Sequence, residues 1–97
     1  MALINILNEE VVVEKQVGKS LRVIRFKDYL LYNTLEAGEM IGVSGNTVKT
    51  WCNKGYYPTG DKNRPIISID HGKHPFNHDY ISSKSVEEII KFRNESK

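Results

Sequence analysis

The amino-acid sequence predicts a small α+β domain, and three observations indicate it. The chain has 97 residues, of which 39% are hydrophobic, and this suits one small globular domain. Two runs rich in β-branched residues, Val11–Val13 and Leu21–Phe26, flank a glycine-containing link, as in a β-hairpin. Two short helical patterns follow, joined by Gly42-Val43-Ser44. A domain this small buries only a modest core, and a deep catalytic cleft would use most of it. The size of the chain therefore favours a binding module.

Residues 1–33 are predicted to form an N-terminal arm and β-hairpin that packs on, or extends, the domain formed by residues 34–97. Residues 1–9 are expected to be a short arm, with a strand as one alternative. The hairpin strands flank Gly18-Lys19-Ser20. The segment from Asp28 to Asn33 is expected to connect the hairpin to the first helix as a helical turn.

A helix-turn-helix pattern occupies residues 34–54. Thr34 is a suitable N-cap for a first helix, whose apolar stripe is predicted to be Ala37, Met40 and Ile41. Gly42 suits the left-handed conformation that ends a helix. Ser44 is then a good N-cap for a second helix that runs to about Lys54. Two short helices joined in this way form a helix-turn-helix.

The residues after Gly55 are predicted to form a wing and a last helix. Pro65–Asp70 predicts a strand, His71–Asn77 a polar loop, and Tyr80-Ile81 a returning strand. Ser85, with a glutamate at the third helical position, forms a capping box that opens a helix. Its apolar face is predicted to be Val86, Ile89, Ile90 and the stem of Arg93. The tail from residue 94 is expected to fray. The predicted fold is therefore a small winged helix-turn-helix with an N-terminal β-hairpin and a C-terminal helix.

The second helix carries hydrogen-bonding side chains at helical spacing, namely Asn46, Lys49, Thr50 and Asn53. Asparagine can bind adenine through two hydrogen bonds, and lysine can reach guanine or phosphate. A helix of this kind fits the DNA major groove. No Asp or Glu occurs from Ile41 through Gly60, so no carboxylate there repels phosphate. We expect this helix to contact nucleic acid, with an ordinary solvated helix face as the alternative.

Basic residues also cluster in the N-terminal part of the chain, although the net charge is only +2. No acidic residue interrupts the span from residue 15 to residue 27, whose basic residues are Lys15, Lys19, Arg22, Arg25 and Lys27. These five residues are a second candidate surface, for a protein partner or for nucleic acid. An ordinary solvated surface is the equal alternative.

Cysteine and histidine usage gives little sign of catalytic or metal chemistry. The single cysteine, Cys52, excludes an internal disulfide framework and indicates a reducing, cytoplasmic compartment. Three histidines, His71, His74 and His78, lack the spacing of a regular zinc site. No glycine-rich phosphate loop or nucleophile–histidine motif is present. We therefore expect no enzymatic activity, no metal and no cofactor. No apolar run approaches the roughly 20 residues of a membrane span, so we expect no membrane partner.

From Thr34 to Pro58 the residue types follow a defined order: acidic-Ala, an apolar pair, Gly-Val-Ser, Thr-apolar-x-x-Trp, then Gly-x-x-Pro. The matching residues are Glu36-Ala37, Met40-Ile41, Gly42-Val43-Ser44, Thr47-Val48, Trp51, Gly55 and Pro58. This order resembles the winged helix-turn-helix of the MerR-like and excisionase superfamily, over roughly residues 34–92. The recognition helices of that superfamily usually carry more arginine, often where Asn46 or Lys49 stands. None of these 97 residues matches the long dimerising helix or the effector domain of full MerR-type regulators, so we do not expect ligand sensing.

The resemblance implies that the second helix enters the major groove and that the wing contacts the minor groove or the backbone. Carried over by position, the residues that would contact DNA are Ser44, Asn46, Thr47, Lys49, Thr50, Lys54 and, from the wing, Arg64. Asn53 completes the predicted DNA-binding set. It belongs to the outward column of the second helix, which we define as Asn46, Lys49, Thr50 and Asn53.

The predicted partner is DNA, with duplex DNA as the first expectation and single-stranded DNA as the alternative. A protein partner, such as a recombinase or a replication enzyme, is a further candidate. The predicted function is that of a DNA-binding accessory or regulatory protein of a mobile genetic element, such as a phage or plasmid. It would act as an excisionase does, or as a transcriptional regulator. The alternative is a small accessory subunit that binds a replication or recombination enzyme and helps it hold single-stranded DNA.

Overall fold

A computed structural model of the protein describes residues 2–5, 11–73 and 78–95. These residues form a small α+β domain with an N-terminal strand hairpin and a C-terminal helix. In chain order the elements are β1 (Ala2–Asn5), β2 (Val12–Val17), β3 (Ser20–Phe26), β4 (Tyr29–Asn33), α1 (Thr34–Ile41), α2 (Gly45–Lys54), β5 (Tyr56–Pro58), β6 (Ile66–Ser68), β7 (Asp70–Lys73), β8 (Asp79–Ser82) and α3 (Ser83–Glu95).

The described strands form a main sheet in the order β1-β7-β8-β4-β3-β2 and a small sheet of β5 and β6. Neighbours in the main sheet are antiparallel, except that β1 runs parallel to β7. The pairing of β4 with β8, with Tyr32 opposite Ile81, joins the N-terminal segment to the rest of the chain. The described N-terminal strands therefore share one sheet with β7 and β8.

The predicted N-terminal hairpin is confirmed: β2 and β3 are antiparallel, and Gly18 takes a left-handed φ of 59° between them. The prediction of a helical turn before the first helix is wrong, because residues 29–33 form β4. Lys27 adopts a left-handed φ of 54°, which lets the chain reverse sharply after β3. Leu31 then pairs with Ile24 and is fully buried, so tertiary packing holds this segment extended.

Both helices predicted around Gly42-Val43-Ser44 are confirmed. Gly42 has a φ of 96° and donates its amide hydrogen to the Gly38 carbonyl over 2.8 Å. The Ser44 hydroxyl accepts a hydrogen bond from the Thr47 amide, as predicted for an N-cap. The N-cap of α1, however, is Asn33 instead of Thr34, because the Asn33 side-chain oxygen accepts from the Glu36 amide at 2.8 Å.

The apolar stripe of α1 differs from the prediction at one position. Ala37 and Ile41 are buried, but Met40 is 41% exposed. Gly38 is buried in its place, where α1 approaches the backbone of the turn that leads into α2. A Cβ atom at Gly38 would lie 2.6 Å from the Val43 carbonyl oxygen, so only glycine permits this close approach.

The strand predicted over Pro65–Asp70 is divided between the two sheets. β6 pairs with β5, whereas β7 pairs with β8. Ile69 lies between them, fully buried, and its amide hydrogen bonds to the Gly55 carbonyl at 3.2 Å. Residues 71–73, predicted as part of a loop, are strand β7. The remainder of that predicted loop, residues 74–77, lies outside the described residues. The hairpin that directly follows α2 is therefore β5–β6.

The C-terminal helix is confirmed, but it begins earlier than the capping box predicts. The Ser82 hydroxyl accepts from the Ser85 amide at 3.2 Å, which is the contact that an N-cap makes. Ser85 is buried instead, and its hydroxyl accepts from the Asp70 amide at 2.8 Å. This bond ties α3 to β7. The helix continues to Glu95, past the point where fraying is expected.

The buried side chains form two clusters. One joins the helices to the sheets and contains Ala37, Ile41, Val48, Trp51, Cys52, Tyr57, Ile67, Ile69, Ile81, Val86 and Ile89. The other lies beneath the N-terminal hairpin and contains Ile24, Phe26, Leu31 and Tyr80. Among the described helices, none is both long and apolar enough to cross a bilayer.

The substitution Gly38→Ala is expected to lower the free energy of unfolding by about 1–3 kcal/mol, because the packed turn must move to admit the methyl group. The matched control is Gly45→Ala, whose Cβ would lie 3.4 Å from the Leu35 backbone, an ordinary contact. Alanine favours a helix over glycine, so the control should be neutral or stabilising by up to about 1 kcal/mol. Urea denaturation followed by Trp51 fluorescence measures both. Equal effects would contradict the close approach at Gly38.

Candidate nucleic-acid interface

The second helix, α2, has one buried face and one solvent-facing face, as its sequence predicts. Val48, Trp51 and Cys52 are buried and hold the helix against the rest of the domain. The outward column is exposed along its length, at Asn46, Lys49, Thr50 and Asn53. α2 therefore presents a polar, acid-free surface from a firmly packed position.

Three of the predicted DNA contacts, Ser44, Thr47 and Thr50, use their hydroxyl groups in hydrogen bonds within α2 or at its N-cap. Ser44 and Thr47 hydroxyl oxygens lie 3.0 Å apart at the N-cap, and Thr47 is half-buried. The Thr50 hydroxyl donates to the Asn46 carbonyl at 3.0 Å. Within the described part of the chain, no hydrogen bond or ion pair engages the side chains of Asn46, Lys49, Asn53 and Lys54. These four side chains are available to a ligand.

The β5–β6 hairpin is closed by an ordered loop over residues 59–65. The Thr59 amide donates to the Pro65 carbonyl at 3.1 Å, and the Asp61 amide donates to the Thr59 hydroxyl at 3.0 Å. Asp61 in turn accepts from the Asn63 amide at 2.9 Å. These bonds hold the loop in one conformation beside α2.

The predicted contact Arg64 forms an ion pair with Glu88 of α3, so its charge is partly offset. Its neighbour Lys62 is exposed, and the described residues offer its ammonium group no partner. Lys62 is not among the residues predicted to contact DNA, although its position in the polar segment after α2 is a signal for such a role.

The second candidate surface, residues 15–27, is largely neutralised by carboxylates from outside that span. Lys15 forms an ion pair with Glu36 at 3.1 Å. Arg25 pairs with Glu14 at 2.9 Å. The sequence window contains no acidic residue, but the hairpin and α1 bring acidic residues beside it. Two of its five basic residues are therefore paired on the surface.

Arg22 is placed differently from the prediction of a surface residue, because it is only 7% exposed. Its guanidinium group contacts Glu36 at 3.0 Å and Glu39 at 2.7 Å. The residue thus links β3 to α1 and gives little surface to a partner. Lys27 lies with its ammonium group 5.2 Å from the Phe26 ring. Lys19 stands exposed on the β2–β3 turn.

The cysteine and the described histidines show no catalytic arrangement. Cys52 is buried, and this burial raises the pKa of its thiol to about 12, so the thiolate nucleophile is suppressed. Burial also lowers the pKa of the His71 imidazole. His78 is exposed, and His74 lies outside the described residues. The described His, Cys, Asp and Glu side chains form no group of three or more that could hold a metal ion.

Two arginine substitutions test the difference between the buried and the exposed ion pairs. Arg22→Ala should lower the free energy of unfolding by about 1–3 kcal/mol, because it removes a buried charged group and the bonds to two carboxylates. Arg25→Ala removes an exposed pair and should cost less than about 1 kcal/mol. Urea denaturation at low and high salt measures both. Equal losses would show that Arg22 does not carry the β3–α1 contact.

Comparison with known proteins adds no relative to this description. No protein-family model, no curated protein and no solved structure matches the chain. The geometry of α2 and of the β5–β6 hairpin is therefore the basis for a functional proposal.

Proposed function

We propose that the protein binds duplex DNA and that α2 enters the major groove. In this proposal α1, the Gly42-Val43-Ser44 turn and α2 act as a helix-turn-helix, and the β5–β6 hairpin acts as its wing. The observation that carries the proposal is the exposed polar column of α2. Its amide and ammonium groups have no partner among the described residues, and no carboxylate occurs from residue 41 through residue 60.

The dimensions of α2 suit this role. Asn46 and Asn53 are separated by roughly 10 Å along the helix axis, at 1.5 Å per residue. The major groove is about 12 Å wide and admits an α-helix. Either asparagine can read adenine through its amide, and Lys49 between them can reach guanine or a phosphate. The buried residues on the opposite face hold the α2 backbone in place, so the outward positions keep a fixed spacing, which specific recognition requires.

The wing and the helix end supply phosphate contacts in this proposal. Lys54 lies at the C-terminal end of α2, and Lys62 lies on the loop of the hairpin that follows. Contacts to phosphates supply most of the binding energy of such proteins and make it sensitive to salt. With so few cations, one copy should bind weakly, and useful affinity would require neighbouring copies or a protein partner.

The biological role that fits this arrangement is that of an accessory or regulatory protein of a mobile genetic element. A small DNA-binding protein can bend or mark DNA for a recombinase, as excisionases do, or it can repress transcription. The resemblance of residues 34–58 to the MerR-like and excisionase pattern supports this class of role.

Fluorescence anisotropy with random-sequence duplex DNA and single-stranded DNA tests the proposal, at low and at physiological salt. Duplex binding should weaken steeply with salt, with a log–log slope of about −3 if Lys49, Lys54 and Lys62 each neutralise one phosphate. After a site selection, Asn46→Ala should cost about 1–3 kcal/mol on the selected site and relax its sequence preference. Lys49→Ala should weaken binding to all duplexes and reduce the slope by about 1.

The matched control is Lys91→Ala, which removes one positive charge from an exposed position on α3, outside α2 and the β5–β6 hairpin. Its duplex affinity should equal that of the unsubstituted protein. Unchanged binding by both the Asn46 and the Lys49 variants would exclude α2 as the DNA-reading element. A preference for single strands would also contradict the proposal.

A second candidate function is favoured by the edge of the main sheet. β2 is an outer strand, and all six of its residues are exposed, including Val12 and Val17 at more than half of their full area. An exposed strand edge can pair with a strand of another protein. This feature fits a small accessory subunit that docks on a replication or recombination enzyme and helps it hold single-stranded DNA.

Lysine substitution at Val12 and Val17 separates the two functions, because neither side chain contributes to the buried clusters. If β2 is a docking edge, Val12→Lys/Val17→Lys should abolish co-purification with a replication or recombination enzyme. Duplex affinity should stay within about twofold of the unsubstituted protein, because surface substitutions of this kind change little elsewhere. Unchanged co-purification of such an enzyme would rule out β2 as its docking edge.

A further inference from the structure

A cleft of about 750 Å³ lies between α2 and the main sheet. Three of its walls come from the β2–β3 turn, the junction of β4 and α1, and the start of β8. Lys49 of α2 completes the lining on the remaining side. Cavities of this volume accommodate small organic ligands of nucleotide size. The cleft is distinct from the outward column of α2, with which it shares only Lys49.

The lining of the cleft includes donors from three separate elements. Lys19 comes from the β2–β3 turn, Lys49 from α2, and His78 from the residue before β8. All three are exposed, and the described residues provide none of them with a hydrogen bond or ion pair. Lysine ammonium and imidazole groups that converge on one opening attract an anion and can donate hydrogen bonds to phosphate oxygens.

Asp79 is the only carboxylate among the described residues that line the cleft. Its side chain is 5% exposed and forms an ion pair with Lys73 at 3.1 Å. Lys73 therefore offsets this charge, and the two lysines leave the opening net positive. The remaining acceptor capacity of a carboxylate suits a ligand that also carries hydroxyl or amino groups.

The rest of the lining is held in place by hydrogen bonds. The Tyr80 hydroxyl donates to the Leu21 carbonyl at 2.9 Å, which fixes β8 against β3. The side-chain amide of Asn33 donates a hydrogen bond to the Ser20 hydroxyl at 3.2 Å. Leu21 is partly exposed and packs against the buried cluster that contains Tyr80, so it gives the wall an apolar part against which a planar base can pack. The lining is thus preorganised and combines two lysines with an apolar part.

We propose that this cleft binds one nucleoside phosphate. Lys19, Lys49 and His78 bind the phosphate, and the base packs toward Leu21. The ligand is a free nucleotide or an unpaired nucleotide of a DNA strand, which share this chemistry. The inference does not depend on duplex binding by α2.

Titration of the ¹⁵N-labelled protein with thymidine monophosphate, followed by amide NMR, tests the site directly. The amide signals of Lys19, Ser20, Thr34 and Asp79 should shift together and saturate. Inorganic phosphate should shift the same signals with weaker affinity, because it lacks the base. A short single-stranded oligothymidylate distinguishes the sources: tighter binding than the mononucleotide indicates a DNA strand, and equal or weaker binding indicates a free nucleotide.

Lys19→Ala and His78→Ala should each weaken mononucleotide binding roughly threefold, the effect of losing one exposed charge or hydrogen-bond contact. Lys91→Ala removes the same charge as Lys19→Ala from outside the cleft and should have no effect. The spectra of the free variants show directly that each remains folded, since all three positions are exposed.

Three results would overturn the proposal. They are the absence of saturable shifts at the cleft amides, equal affinity for inorganic phosphate and mononucleotide, or an equal loss of affinity in Lys91→Ala. Asn46→Ala should leave mononucleotide binding unchanged while it weakens duplex binding. Failure of duplex binding with intact mononucleotide binding would therefore contradict the proposed function alone.

Discussion

The edge-to-face contact between Trp51 and Tyr57, with ring centroids 4.7 Å apart, joins α2 to the β5–β6 hairpin within the larger buried cluster. Tyr57 also packs against Phe92 of α3, at 6.1 Å between ring centroids. One chain of aromatic rings thus joins the exposed helix, the hairpin beside it and the C-terminal helix. Aromatic pairs contribute more than their buried area alone, so this chain stabilises the relative positions of all three elements. The outward column of α2 can present a defined pattern only because its inward face is held in this way.

The parts of the fold that could be predicted from the sequence are those set by local backbone chemistry. Gly42 and Gly55 take left-handed conformations at helix ends, and Ser44 caps α2, because these residue types satisfy local steric and hydrogen-bonding needs. The parts that were predicted wrongly depend on distant partners. β4 is a strand because Leu31 packs between β3 and β8, and Ile69 divides a continuous β pattern because its amide bonds to Gly55. Neither partner is visible within a local window.

The same distinction applies to the candidate sites. The α2 column follows from helical spacing alone, so its exposure could be predicted. The pairing of the charges in residues 15–27 could not be predicted. Glu14 is next to this span in the sequence but meets Arg25 only across the folded hairpin. Glu36 and Glu39 approach Arg22 only after α1 has folded. The cleft could not be predicted either, because its donors come from residues 19, 49 and 78, which are far apart in the sequence. The clustering of basic residues in the sequence therefore overstates the free positive charge of residues 15–27, and it gives no sign of the cleft.

Lys49 belongs both to the outward column and to the cleft, and this shared position connects the two proposed sites. Its long, flexible side chain carries one ammonium group, which can neutralise one phosphate at a time. A phosphate held in the cleft would therefore compete with a groove contact made by the same group. Thermodynamic linkage makes such an effect reciprocal: duplex binding would weaken nucleotide binding by the same factor. A single lysine between two surfaces would then couple occupancy of the cleft to the strength of the duplex contact, without any change in the fold.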